Sequence, residues 1–200
     1  MIWDKILLAT RNKDKIKEIK ELLSDLPVAI ISIEDVPDLP EVIEDAETLA
    51  GNAIKKAQEL SNFLQMPALA DDTGLEVDAL NGRPGIRSAR YAGEKAEYSE
   101  NVDKLLLEMQ DVPDDQRQAQ FRTVIAIAYH NSVDTVEGIC KGVITRTRQG
   151  SSGFGYDPVF YVPSQKKTFA EMSLDEKNSI SHRGIALQKM IKLLISKIGA

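Results

Sequence analysis

Twice within its first 64 residues the chain passes from a short apolar run into an amphipathic helical pattern. That alternation limits the fold more than any other feature. The run KILLAT (5–10) is too short for a buried helix and reads as a strand. It gives way at once to RNKDKIKEIKELLSDL, where Ile16, Ile19, Leu22 and Leu23 recur at helical spacing and the lysines and glutamates take the other face. A second strand is expected in VAIISI (28–33). Beyond the acidic, proline-broken loop 34–47, a long helix is expected over 48–64, with Leu49, Ala53, Ala57, Leu60 and Leu64 as its apolar stripe.

Downstream, PALAD reads as a strand and 97–109 as a helix with Val102, Leu105, Leu106 and Met109 inward. QAQFRTVIAIAYH and TVEGICKGVITRT are rich in β-branched residues and are expected to pair. RQGSSGFGYDP is a glycine-rich loop, VFYV a short strand, and SISHRGIALQKMIKLLISKI a closing helix. Ser181 is the candidate N-cap of that helix, and Leu187, Ile191, Leu194 and Ile198 form its stripe. No repeat, low-complexity tract or linker interrupts the 200 residues, so residues 1–200 read as a single α/β domain with a mixed sheet.

Composition narrows the function classes. The net charge of -6 argues against a coat for nucleic-acid polymers, which needs a broad basic surface, but leaves room for a nucleotide site with a few local cations. The single cysteine, Cys140, permits no intramolecular disulfide and sits in a strand-like run as an apolar filler. The start MIWDKILLAT carries Asp4 and only a short apolar run, so neither a signal peptide nor a membrane span is expected, and a cytoplasmic location is.

Five segments carry candidate chemistry. TRNKDK (10–15) lies where the first strand meets the first helix. The helix N-terminus, Thr10, Asn12 and Lys15 together suit a phosphate, although no GxxxxGK[ST] loop occurs. In ADDTG, alternation along a strand sends Asp71 and Asp72 to opposite faces. Two buried, unpartnered carboxylates would each cost several kcal/mol, so the pair is expected at a strand end, where one carboxylate enters a cleft while its neighbour supports a turn at Thr73-Gly74. One such carboxylate, helped by Glu44 from the acidic loop, would suit Mg²⁺. In GRPGIRSARYAG, Arg83, Arg87 and Arg90 either neutralise phosphates or pair with acids. In SSGFGYDPVF, Phe154 among glycines either faces a flat ligand or joins a satellite core. In SLDEKNSISHRG, Ser173 and Glu176 resemble a capping box, and Lys177, His182 and Arg183 gather around the start of the last helix, where cations oppose the dipole.

In their order along the chain, TRNKDKIKE, GNAIKKA, PALADDTGLEVDALNGRPGIRSARYAG, VPDDQRQAQF, GFGYDPVFYVP and EKNSISHRGIALQKM resemble the inosine triphosphate pyrophosphatase family, from about residue 5 to residue 194. The resemblance implies hydrolysis of ITP, dITP and XTP to the monophosphate and pyrophosphate with Mg²⁺. It also implies an elongated mixed sheet flanked by helices in two lobes with a central cleft, and a homodimer. Carried over by position, it makes Thr10, Asn12 and Lys15 the phosphate-binding set, Asp72 the catalytic acid and Thr73 a substrate contact. Asp72 and Glu44 become the metal ligands, Phe154, Gly155, Tyr156 and Asp157 the base-binding segment, and Lys177, His182 and Arg183 further substrate-binding residues. Gly51 stands where many members carry glutamate, and the acidic loop matches only loosely around Ile43, Glu44 and Asp45. The competing readings are a Maf-like nucleotide pyrophosphatase and a nucleotide sensor that does not hydrolyse.

Overall fold

A computed structural model describes residues 3–198. The elements are β1 (Lys5–Leu8), α1 (Lys13–Leu22), β2 (Ala29–Ser32), α2 (Leu49–Leu64), β3 (Ala68–Val77), β4 (Pro84–Gly85), α3 (Tyr98–Glu108), β5 (Gln118–Tyr129), β6 (Ser132–Ile144), β7 (Phe160–Val162), β8 (Lys167–Thr168), α4 (Leu174–Ile180) and α5 (His182–Ile198). The strand order is β2-β1-β3-β5-β6-β7-β8, with β4 on β3. β1 is parallel to β2 and β3, whereas β3–β4, β6–β7 and β7–β8 are antiparallel. The sheet is therefore mixed and flanked by helices, as the alternation in the sequence required. Among the described residues no helix is long and apolar enough to cross a membrane.

The chain divides into two compact units. The first takes the described residues of Met1–Asp72, Thr123–Gly138 and Arg183–Ala200. Its core joins Ile6 and Leu8 of β1, Ile19 and Leu23 of the α1 region, Leu69 of β3, Ile125 and Ile127 of β5, and Leu187, Met190 and Leu194 of α5. Of the residues that periodicity placed inward on α1 and α5, Ile19, Leu23, Leu187 and Leu194 lie in this core, and Ile16, Leu22 and Ile191 pack against it partly buried. The β1–α1–β2 connection is a parallel crossover, and β1 and β3 pair through Leu7↔Ala68 and Leu8↔Leu69. Two or three residues past that register, Thr10–Arg11 and Asp71–Asp72 lie beyond the carboxyl end of β1. In open α/β sheets this is where ligands bind.

The second unit takes Thr73–Arg122 and Ile139–His182. Leu75, Val77, Leu105, Met109, Phe121, Phe160 and Phe169 centre its core. Phe160 lies 4.7 Å from Phe121 and 5.0 Å from Phe169 between ring centroids. Cys140 is buried and its thiol pKa is pushed up to about 11 by burial, consistent with an inert filler.

Candidate active site

The two carboxylates do not stand at a strand end. β3 runs through both and continues to Val77. Gly74 marks a close backbone approach rather than a turn, because a Cβ there would sit 2.7 Å from the Gly85 carbonyl oxygen on β4. Asp71 therefore supports no turn. It is fully buried, with Lys15 Nζ 3.0 Å and Arg183 Nε 3.6 Å from its Oδ2. Burial alone would raise its pKa, but the charges of Lys15, Arg183 and Lys56 overcome that and hold it well below the usual carboxylate range. The cost of burying both acids is met by giving each its own partners.

Asp72 is 8% exposed and accepts a hydrogen bond from Asn52 Nδ2 (3.1 Å). Burial pushes its carboxyl pKa up; Lys15, Lys56 and the Asn52 bond oppose the rise, and the charge of Glu44 adds to it. The outcome is a raised value, which suits a group that must accept a proton. Asn52 is fixed in turn, since its Oδ1 accepts from the Ala46 amide at 2.9 Å. Lys56 Nζ lies 2.6 Å from Glu44 Oε1. Burial favours the neutral Lys56 amine, but Asp71, Glu44 and Asp72 outweigh it and its pKa is raised, so the ammonium is held charged. Thr10, Glu44 and Lys56 line one cavity of about 180 Å³.

Asn12 is the N-cap of α1: its Oδ1 accepts from the amides of Asp14 (3.0 Å) and Lys15 (3.2 Å), and its own amide donates to Thr10 Oγ1 (3.3 Å). Capping fixes the turn from which Lys15 reaches Asp71. Thr73 follows Asp72 on β3, half-buried.

Among the described residues no group of three or more His, Cys, Asp or Glu side chains is arranged to hold a metal ion. Mg²⁺ bound through one or two carboxylates, several waters and substrate phosphates needs no such cage. Asp72 and Glu44 fit that donor set, and a cation between them would offset both the burial and the mutual repulsion that raise the Asp72 pKa.

The second unit holds the glycine-rich loop. Asp157 Oδ2 accepts from the Phe154 amide (2.9 Å) and from Lys177 Nζ (2.6 Å), with Asp157 and Lys177 both buried. Lys177 Nζ lies 4.9 Å from the centroid of the Phe154 ring, and Tyr98 packs against that ring at 5.8 Å. Gly153 has φ +74, and a methyl there would collide with the Asp157 carboxylate. Gly153→Ala is therefore expected to cost about 1–3 kcal/mol through backbone strain and displacement of that acid. A lower urea midpoint checks this. Gly155 also has positive φ, and the Tyr156 hydroxyl donates to the Ser88 carbonyl at 2.9 Å, anchoring the loop.

The expected capping box forms: Ser173 Oγ accepts from the Glu176 amide and starts α4. Lys177, His182 and Arg183, which the sequence gathers around the start of the last helix, do not form one cation cluster. All three are buried and go separate ways. Lys177 pairs with Asp157. His182 stacks on Phe121, with centroids 4.4 Å apart, inside the aromatic core of the second unit. Arg183, in the first unit, pairs with Glu18 and Asp71. Sequence reasoning missed Glu18, Asn52 and Lys56. Asn52 and Lys56 are one helical turn apart beside the apolar stripe of α2, and Glu18 lies three residues past Lys15, so spacing alone carried a usable signal.

The fold and these centres define a mixed α/β protein with a buried carboxylate–lysine cluster beyond a parallel strand pair. A profile described as the Ham1 family matches residues 6–193. A dITP/XTP pyrophosphatase of Desulforamulus reducens is 53% identical over 95% of both chains, and one of Geobacter sulfurreducens is 48% identical over 92% of both. The solved structure of a HAM1 protein from Coxiella burnetii superposes with a TM-score of 0.89 at 40% identity, covering 98% of this chain and 100% of that one. The chain belongs to the Ham1 family.

Proposed function

We propose that the chain hydrolyses non-standard purine nucleoside triphosphates (dITP, ITP and XTP) to the monophosphate and pyrophosphate, with Mg²⁺ as cofactor. The observation that carries this reading is the desolvated Asp72, held by Asn52 and flanked by the charges of Lys15 and Lys56, in a chain that matches dITP/XTP pyrophosphatases over nearly its whole length.

In the proposed step, Asp72 takes a proton from a water whose oxygen bonds to the α-phosphorus. The bond from that phosphorus to the bridging oxygen breaks, and the electron pair leaves with pyrophosphate. Asp72 and Glu44 would hold Mg²⁺, which would supply charge shielding and a more acidic water. Lys15 and the positive end of the α1 dipole attract the phosphate oxygens, as a cation and a helix N-terminus suit an anion. Lys56, kept charged, neutralises the developing negative charge, and Thr10 and Thr73 add polar contacts. Asp71 touches no substrate; it fixes the cations around it.

Base recognition is assigned to Phe154, Gly155, Tyr156, Asp157, Lys177, His182 and Arg183. Phe154, held through Asp157 and Lys177, offers a ring to the purine, worth about 1 kcal/mol beyond area burial. Arg183 and the amides around His182 are assigned as donors to the C6 oxygen of hypoxanthine and xanthine. Adenine presents a donor there, and such a mismatch discriminates by up to about 10⁴-fold. Rates on ITP, dITP, XTP, ATP and GTP, measured side by side, test the reading: ITP, dITP and XTP are expected to lead, and equal rates on ATP and ITP would overturn it. A homodimer in the cytoplasm completes the proposal, and sedimentation at micromolar concentration tests the dimer.

A further inference from the structure

Four cationic side chains meet in the second unit where the proposed reaction assigns no role. Arg83, Arg87, Arg90 and Lys104, with Tyr91, line one cavity of about 430 Å³. Two carboxylates face them. Glu108 lies 3.0 Å from Arg83 and also accepts from the Tyr91 hydroxyl at 2.7 Å. Glu94, largely exposed, is shared between Arg87 at 3.9 Å and Arg90 at 3.7 Å. Those two distances exceed the roughly 2.7–2.9 Å of a charge-assisted hydrogen bond, and exposed ion pairs of this kind contribute little. These four cations gather in a chain whose net charge is -6.

The surroundings are ordered before any ligand arrives. Lys104 Nζ donates to the Tyr91 carbonyl at 2.7 Å and lies 4.5 Å from the centroid of its ring. The Ser88 hydroxyl donates to the Gly85 carbonyl (2.6 Å) and accepts from the Leu75 amide (2.8 Å), fixing the segment that carries the arginines. Successive turns, Arg87 N to Pro84 O and Arg90 N to Arg87 O, set the spacing of the guanidinium groups. Gathering an excess of like charge is unfavourable unless a counter-anion joins it. Planar guanidinium forks match paired phosphate oxygens better than a point charge does.

We propose that this pocket binds an anion of the polyphosphate class, with Glu94 as the weakly held internal group that the ligand displaces. The anion has two sources, free pyrophosphate and the phosphate tail of a nucleoside triphosphate. The test titrates the full chain with sodium pyrophosphate, and separately with ITP, in the presence of EDTA, and follows the heat of binding. Arg87→Gln is expected to weaken binding by at least about tenfold, the size of one lost charge-assisted bond. Glu94→Gln is expected to tighten it several-fold, a gain that no folding defect can mimic. Lys15→Met, which alters the proposed catalytic centre, is expected to leave this binding in place, so failure of one site is distinguishable from failure of the other. A response to both variants with pyrophosphate assigns the free anion; a response with ITP alone assigns the nucleotide tail. The proposal is overturned if Arg87→Gln and Glu94→Gln both bind as the unaltered chain does. It is also overturned if Arg87→Gln changes the sedimentation coefficient rather than the affinity, which would give this face to a second copy.

Discussion

Asp72→Asn is expected to lower turnover on dITP by about a thousandfold, within the range for loss of a positioned general base, while the protein stays folded. The amide oxygen of the new side chain can still accept from Asn52 Nδ2, so the bond that fixes position 72 survives. The substitution also removes a charge that burial disfavours, so stability is expected to hold or rise. Turnover and the urea midpoint, measured on the same preparation, check both halves. The pH dependence carries a sign. Asp72 must be ionised to accept a proton, and its pKa in the folded chain lies above the ordinary value of 3.8. Between that raised value and 3.8 the folded state binds more protons than the unfolded chain, so this group's contribution to stability rises as pH falls. Asp71 behaves in the opposite way: its folded pKa is depressed, so its contribution is complete above 3.8 and is lost as pH falls through the folded value.

The second large effect is on stability. Arg183→Met is expected to cost about 3–5 kcal/mol, because removing one member of a buried ion cluster leaves the others uncompensated. Glu18 and Asp71 both pair with this guanidinium, and the side chains of all three are 7% exposed or less. The loss should shrink in acid, where the stranded carboxylates can take up protons. Arg183→Lys should recover part of it, since an ammonium restores the charge but not the planar fork. Urea midpoints of the three proteins at neutral and acidic pH measure the effect.

The elements that were legible in the sequence are those whose signal is local. α1, α2, α3 and α5 follow from apolar residues at helical spacing, and β5 and β6 from β-branched runs joined through His130 and Asn131. The capping box at Ser173 is a contact within three residues. The parts that escaped depend on distance along the chain. Arg183 meets Glu18 across 165 residues and Asn52 meets Asp72 across 20, and no window of sequence holds either pair. Thr73-Gly74 looked like a turn because glycine usually marks one. Its reason is the backbone of β4, which only tertiary structure reveals. Asp71 was misread for the same cause: a buried acid is intelligible only once its lysine and arginine are in place.

The proposed chemistry places bond formation at the innermost phosphorus of the substrate. Hydrolysis of dITP in water enriched in the heavy oxygen isotope, with the products separated by mass, tests this directly. The label is expected in the nucleoside monophosphate, with pyrophosphate unlabelled and turnover in Asp72→Asn lowered by about a thousandfold. Label in pyrophosphate or orthophosphate, or undiminished turnover in that variant, would contradict the account.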